Sequence, residues 1–362
     1  MKNPVKILVV DDSSFYRKVL LKTLQSIPNI IVSGEASDGK DAIIKSKAIE
    51  PDLILLDVEL PQMRGPDVYT SIRDFNKNVD IVMISSHSLD SIPDVLATLK
   101  LGAIDFIHKP DSGDMENNIK ELKKKLQLLI NLVKARRTSR MINKISSGNL
   151  NKFQDISNAN PVPSKIDLIL IGVSTGGPQA LQGLFPSLPQ TLTCPILLVQ
   201  HMPPKFTSEL AILLNNLTKN PVIEVKNNTV MEPGYIYIAP GGLHMTIGHP
   251  FGKNNDRKHR ILLNDSDPVN GCRPSVDVLF ESVSRHFTGG IISIVLTGMG
   301  EDGAKGVKKL RKIGAYSIIQ DQSSSVVWGM PGAVFKNNDA DEVLSLDLIG
   351  PRISQILSRT GK

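Results

Sequence analysis

Three sets of side chains in this sequence have types and spacings that could do chemistry. The first is Gly172-Val173-Ser174-Thr175-Gly176, a Gly-x-Ser-x-Gly run that follows the apolar stretch DLIL and precedes Gly177-Pro178. Glycines around a serine let the backbone turn sharply between a strand and a helix, and Pro178 suits a first helical turn, where an N–H has no partner to lose. Such a turn can seat a nucleophile, hold a phosphate at a helix N-terminus, or serve as a turn and nothing more. It is neither Gly-x-Gly-x-x-Gly nor a Walker loop, since no lysine follows the glycines. Taken alone, the stretch leaves all three readings open.

The second set would serve that serine. His201 ends the apolar run PILLVQ, and Pro203-Pro204 then turn the chain, which puts His201 at a strand end comparable to that of Ser174. His244, after APGGL, is the one rival at a strand-to-loop transition, whereas His249 and His259 fall in a polar loop, His286 in a helix and His108 in the N-terminal half. Asp302, in IISIVLTGMGEDG, follows another apolar run and has glycines on both sides; it could orient the imidazole, with Glu301 as the neighbour to exclude. Serine, base and acid at three strand ends satisfy the roles of a Ser-His-Asp triad, which is defined by geometry and not by chain order. The order here, Ser-His-Asp, differs from the Ser-Asp-His order of α/β-hydrolases and disfavours an ordinary lipase or esterase.

The third set is acidic. Asp11 and Asp12 close the run VKILVV, Asp57 closes DLILLD, Ser85 and Ser86 close IVMISS, and Lys109-Pro110 close DFIHKP. Carboxylates brought together repel one another unless a hard cation sits among them, and an oxygen set of this kind suits Mg²⁺. A lysine beside them can pair with the carboxylates or with a phosphoryl group. Helix capping by Asp12 or Ser13 accounts for part of the pattern but not for Asp57 and Lys109.

The elements that must position these groups follow from the same runs. Short, continuous Val/Ile/Leu stretches alternate with amphipathic ones in both halves, the pattern of parallel sheets covered on both faces by helices. In such sheets ligands gather outside the carboxyl ends of the strands, which is where all three sets fall. A length of 362 residues suits two domains, each with its own core. No apolar run approaches the ~18 residues of a membrane span, and Met1-Lys2-Asn3-Pro4 leads straight into a strand-like run, so a cytoplasmic chain with no direct membrane insertion is expected. Two cysteines, Cys194 and Cys272, exclude a disulfide framework and are expected to be buried or inert.

The net charge of +6 is unevenly spread: residues 1–112 carry −3, residues 113–165 carry +7 and residues 166–362 carry +2. The excess lies in a segment that begins as an amphipathic helix and ends in Asn, Ser and Pro, read as a helix followed by a linker. With a nearly neutral C-terminal half and no helix-turn-helix, zinc spacing or aromatic-studded basic strip, nucleic acid is not an expected partner.

Residues 5–130 resemble the receiver domain of two-component response regulators. That resemblance implies a flavodoxin-like, doubly wound five-stranded sheet, Asp57 as phosphoacceptor, Mg²⁺ held by Asp11, Asp12, Asp57 and the Glu59 carbonyl, Lys109 on the phosphoryl group, and Ser85 and Phe106 as switch residues. It also implies a cis Lys109-Pro110 peptide and a histidine kinase as phosphodonor. The motifs GVSTGGP, QHMP, APGGLHM, RPSVDVLF, LTGMGEDG and VVWGMPGAV resemble the catalytic domain of the chemotaxis protein-glutamate methylesterase family, CheB. One departure is Gly332, where many relatives carry arginine.

Together the two resemblances imply a receiver over 1–130, a basic linker over 131–165 and a doubly wound α/β methylesterase domain over 166–362. They imply Ser174, His201 and Asp302 as the triad, Thr175 and Met299 as oxyanion support, and no cofactor for the ester chemistry. The activity implied is phosphorylation-activated hydrolysis of glutamate γ-methyl esters, with deamidation of glutamines, on the cytoplasmic helices of methyl-accepting chemoreceptors. The alternative is a response regulator whose second domain only binds a nucleotide or a protein.

Overall fold

The computed structural model describes residues 4–86, 91–109, 115–143, 159–252 and 258–360. The chain forms two compact units, Met1–Asn151 and Lys152–Lys362.

In the first unit, β1 (Val5–Val10), α1 (Ser14–Gln25), β2 (Ile30–Ala36), α2 (Gly39–Ile49), β3 (Leu53–Asp57), α3 (Gly65–Phe75), β4 (Asp80–Ser85), α4 (Ile92–Lys100), β5 (Asp105–His108) and α5 (Met115–Asn143) alternate along the chain. The five strands are parallel in the order β2-β1-β3-β4-β5. Because β1 pairs with β3 on one side and β2 on the other, the strand order reverses beside β1, and its carboxyl end faces the crevice where such sheets bind ligands. Every residue of β3 and β4 is buried, which is why those segments read as continuous apolar runs. Ser13 caps α1 by accepting the Tyr16 N–H, so the cap does not consume Asp12. The last helix continues to Asn143, so the first part of the basic segment is helical and belongs to this unit. The Lys109-Pro110 peptide lies outside the described residues.

The second unit contains β6 (Leu168–Val173), α6 (Gly177–Leu184), β7 (Ile196–Gln200), α7 (Phe206–Asn215), β8 (Val222–Glu224), β9 (Thr229–Val230), β10 (Ile236–Ile238), β11 (His244–Ile247), β12 (Arg260–Asn264), α8 (Val276–His286), β13 (Ile291–Val295), α9 (Ala304–Lys312), β14 (Tyr316–Gln320), α10 (Met330–Lys336), β15 (Glu342–Leu344) and α11 (Leu346–Thr360). Seven strands form a parallel sheet in the order β15-β14-β13-β6-β7-β10-β8, and β11, β12 and β9 form a small antiparallel sheet that the sequence reading did not anticipate. The chain enters the large sheet at β6, works outward through β7, then crosses to β13 on the other side of β6. That crossing places the strand-end crevice at β13, β6 and β7. All residues of β6, β7 and β13 are buried. Burying a Leu or Ile side chain stabilises by about 1.5–3 kcal/mol, so these three strands anchor the site on fully buried sheet.

Candidate active site and phosphoacceptor pocket

Ser174 leaves β6 directly into the crevice. Its backbone N–H donates to the Thr297 carbonyl at 3.0 Å, and its carbonyl accepts from Gly177 N–H at 2.7 Å, a tight turn into α6. Gly176 has φ of +75°, the left-handed region that favours glycine, and it forms the N-cap of α6 with Pro178 in the first turn. Gly298 lies so close that a Cβ there would approach the Ser174 Cβ to 2.9 Å, which leaves the serine wedged between two strand ends. Thr175, the next residue, is buried, with its carbonyl accepting from the Thr297 hydroxyl at 3.0 Å; Met299 follows Gly298 in the loop after β13. Gln200, buried at the end of β7, donates its amide to the Ser174 carbonyl at 3.0 Å and to the His201 carbonyl at 3.2 Å.

His201 follows β7, tied to β6 by its N–H to the Val173 carbonyl at 3.1 Å. Its Nε2 lies 2.8 Å from Asp302 Oδ2, and its Nδ1 lies 3.4 Å from Cys272 Sγ. Among the described residues no hydrogen bond joins Ser174 Oγ to His201. Since Asp302 is ionised and takes Nε2–H, the neutral imidazole carries its lone pair on Nδ1. Burial disfavours charge on this ring, yet the Asp302 and Cys272 contacts outweigh it, and His201 holds its proton more readily than a free imidazole.

Asp302, in the loop between β13 and α9, is buried against the N-terminus of α8. Besides His201 it accepts Val276 N–H at 2.7 Å on Oδ2, and Asp277 N–H at 3.1 Å, the Ser275 hydroxyl at 2.9 Å and the Asn270 amide at 2.9 Å on Oδ1. A helix N-terminus with free N–H groups and the positive end of its dipole is a natural seat for a carboxylate. Burial raises the proton affinity of Asp302, but the bond to His201, the His201 charge, the Val276 N–H and the Asn270 amide overcome it and hold the carboxyl well below its ordinary range. Asn270 also donates to Asp277 Oδ2 at 3.0 Å, linking two buried carboxylates. Glu301 is exposed and takes no part. His244 is buried: its Nδ1 accepts Ser275 N–H at 3.2 Å and its Nε2 lies 3.1 Å from the Asp267 carbonyl, so both nitrogens serve the backbone. Gly332 lies on α10, beside Trp328.

Sequence reasoning missed Asn270, Ser275, Asp277, Gln200 and the role of the loop before α8; the Ser-capped start of RPSVDV, with Asp277 in the first helical turn, was the available signal for Ser275 and Asp277. It also read both cysteines as buried or inert. Cys194 is buried and its thiol is pushed up to about 12, by burial first and by the Asp167 charge second. Cys272 differs: it is only partly buried and touches the imidazole, because the turn that carries it closes onto the strand-end crevice.

In the first unit the carboxyl ends of β1, β3 and β5 bring together Asp11, Asp57 and Lys109. Lys109 Nζ lies 2.6 Å from Asp57 Oδ2 and 3.0 Å from Asp11 Oδ2, with the Tyr16 ring 4.9 Å beneath it. Asp11, Asp12 and Asp57 each offer a carboxylate oxygen within 4.8 Å of the others. A set made only of carboxylate oxygens fits a hard divalent cation. Burial raises the Asp57 pKa to about 7, with the Asp11 charge adding to it and Lys109 opposing. Glu59 N–H donates to Asp57 Oδ1 at 3.2 Å. The Ser85 hydroxyl pairs with Ser91 Oγ at 2.8 Å, and Phe106 is buried with Lys125 Nζ 5.2 Å from its ring centre.

A receiver-like pocket in one unit and a serine, histidine and aspartate set in the other define a response regulator joined to an α/β domain of hydrolase type. The family models agree: residues 7–120 match the response regulator receiver domain and residues 169–353 match CheB methylesterase. Curated relatives named protein-glutamate methylesterase/protein-glutamine glutaminase include those of Trichodesmium erythraeum, 38% identical over 96% of this chain and 97% of the relative, and Desulfotalea psychrophila, 37% identical over 98% of each. The crystal structure of the Thermotoga maritima CheB methylesterase catalytic domain is 36% identical, covers 53% of this chain and 99% of that one, and superimposes with a TM-score of 0.50. The chain belongs to the CheB methylesterase family, with a response regulator receiver domain preceding the methylesterase domain.

Proposed function

We propose that this protein hydrolyses glutamate γ-methyl esters, and deamidates glutamines, on the cytoplasmic helices of methyl-accepting chemoreceptors, providing adaptation in chemotaxis-type signalling. The observation that carries the reading is the His201–Asp302 pair at 2.8 Å, held at the strand edge from which Ser174 also projects. His201 Nδ1 takes the Ser174 proton as Oγ attacks the side-chain carbonyl, then returns it to methanol or ammonia as the acyl-enzyme forms; water completes the cycle by the same route. Asp302 holds the tautomer and stabilises the imidazolium. The backbone N–H groups of Thr175 and Met299 receive the oxyanion, each such donor being worth ~2.7–4 kcal/mol.

The receiver unit sets the rate. Asp57 accepts a phosphoryl group from a histidine kinase, with Lys109, Ser85 and Phe106 responding to the added charge. Asp11, Asp12, Asp57 and the Glu59 carbonyl would hold Mg²⁺, which would neutralise charge during that transfer. The ester chemistry itself uses only side chains and backbone of the second unit. No described helix is long and apolar enough to cross a membrane, which fits a cytoplasmic enzyme that meets its receptors from solution.

Ser174→Ala tests the assignment. Methanol release from methylated receptor membranes is expected to fall by at least ~10³-fold, to what binding and the oxyanion donors supply alone. Retention of full hydrolysis would instead favour the reading in which the second unit only binds.

A further inference from the structure

The loop before α8 closes on both ends of the His201–Asp302 pair. Val269 and Cys272 exchange backbone hydrogen bonds of 2.9 and 3.1 Å around Asn270 and Gly271, whose φ angles of +54° and +75° mark a tight turn of left-handed residues. From this turn Asn270 reaches Asp302 Oδ1 at 2.9 Å, and Cys272 places Sγ 3.4 Å from His201 Nδ1, within hydrogen-bond reach for sulfur. Sulfur, imidazole and carboxylate thus stand in the order nucleophile, base and orienter. Cys272 is partly exposed, whereas Cys194 is buried. The nitrogen that Cys272 contacts is also the one left to serve Ser174, since Asp302 occupies the other.

We propose that Cys272 is a reactive thiol activated by His201, and that its alkylation by a soft electrophile shuts down ester hydrolysis. The second half rests on the reading of His201 as the base for Ser174. With iodoacetamide, Sγ, whose proton His201 Nδ1 holds, attacks the methylene carbon; the C–S bond forms as the C–I bond breaks, and iodide leaves. The carbamidomethyl group then stands at the nitrogen that must receive the serine proton.

The test uses the full chain at pH 7 with iodoacetamide, following the Cys272 peptide by mass spectrometry and methanol release in parallel. Cys272 is expected to react roughly tenfold faster in the wild type than in His201→Ala or His201→Gln, because both variants lack the proton acceptor. Cys194 stays unlabelled as long as each variant is folded, which separates a lost base from a lost fold. Equal Cys272 rates in folded wild type and variants overturn the activation. Methanol release should decline in step with Cys272 modification; full activity after complete labelling overturns the shutdown. In Ser174→Ala, Cys272 should label as fast as in the wild type. Failure of the esterase reading appears as hydrolysis surviving in Ser174→Ala, and failure of the thiol proposal appears in the labelling rates.

Discussion

His201 is asked to accept a proton, yet its surroundings favour keeping one: the Asp302 bond and the Cys272 contact outweigh the cost of burial. The consequence has a definite sign. Below its raised pKa the ring is imidazolium and cannot take the Ser174 proton, so kcat/KM for ester hydrolysis should fall as pH falls, with a midpoint above the ~6.5 of a free imidazole. A pH profile of methanol release with its acidic limb at or below that value would contradict this environment for the base. Asp302→Asn keeps the shape of the acid but puts an amide donor where four other N–H and O–H groups also donate, so the imidazole loses its fixed tautomer. A drop in kcat of ~10⁴-fold is expected, and a drop under tenfold would remove Asp302 from the mechanism.

At the scale of elements, strand ends bring the residues near one another and α8 holds one of them in place. Ser275 acts twice, capping α8 through Val278 N–H at 3.4 Å and donating its hydroxyl to Asp302 at 2.9 Å. Ser275→Ala should therefore cost roughly 2–4 kcal/mol of stability, since a cap and a hydrogen bond to a buried charge are lost together. Urea unfolding measures this, and a loss under ~0.5 kcal/mol would mean that the backbone N–H groups hold the carboxylate without the hydroxyl. Much of this layer was legible in the sequence: DLILIGV, CPILLVQ and GIISIVLTG are β6, β7 and β13, and their alternation with helical stretches foretold a parallel sheet. The small sheet of β9, β11 and β12 was not legible, because strands of two to five residues with mixed burial leave no sustained period to read.

At the scale of the whole molecule, two units with separate chemistry imply that one governs the other. A coupling of about 1–3 kcal/mol, or 5–150-fold, is the usual range for such control. Asp57→Asn should abolish stimulation of ester hydrolysis by a small phosphodonor and leave the basal rate in place. Deleting residues 1–150 should raise the basal rate within that range, and the Thermotoga maritima relative shows that a catalytic domain of this family can be crystallised alone. An unchanged basal rate after deletion would sink inhibition by the receiver but not the esterase. The charge is spread unevenly, −3 over residues 1–112, +7 over 113–165 and +2 over 166–362, and the basic segment includes α5 of the first unit.

By itself the sequence determined the two sheets, their order in the chain, and which residues stand at strand ends, because a buried parallel strand must be apolar throughout and polar groups can appear only where it stops. Ser174, His201, Asp302, Asp57 and Lys109 were readable on that ground, together with the resemblance of six motifs. The tertiary structure decided which nitrogen of His201 meets Asp302, that α8 seats the carboxylate, and that Cys272 lies against the imidazole. Those facts depend on side-chain directions and on the packing of segments up to about a hundred residues apart, which no local pattern encodes. A cysteine in a polar turn reads as inert until the fold carries it to within 3.4 Å of a base.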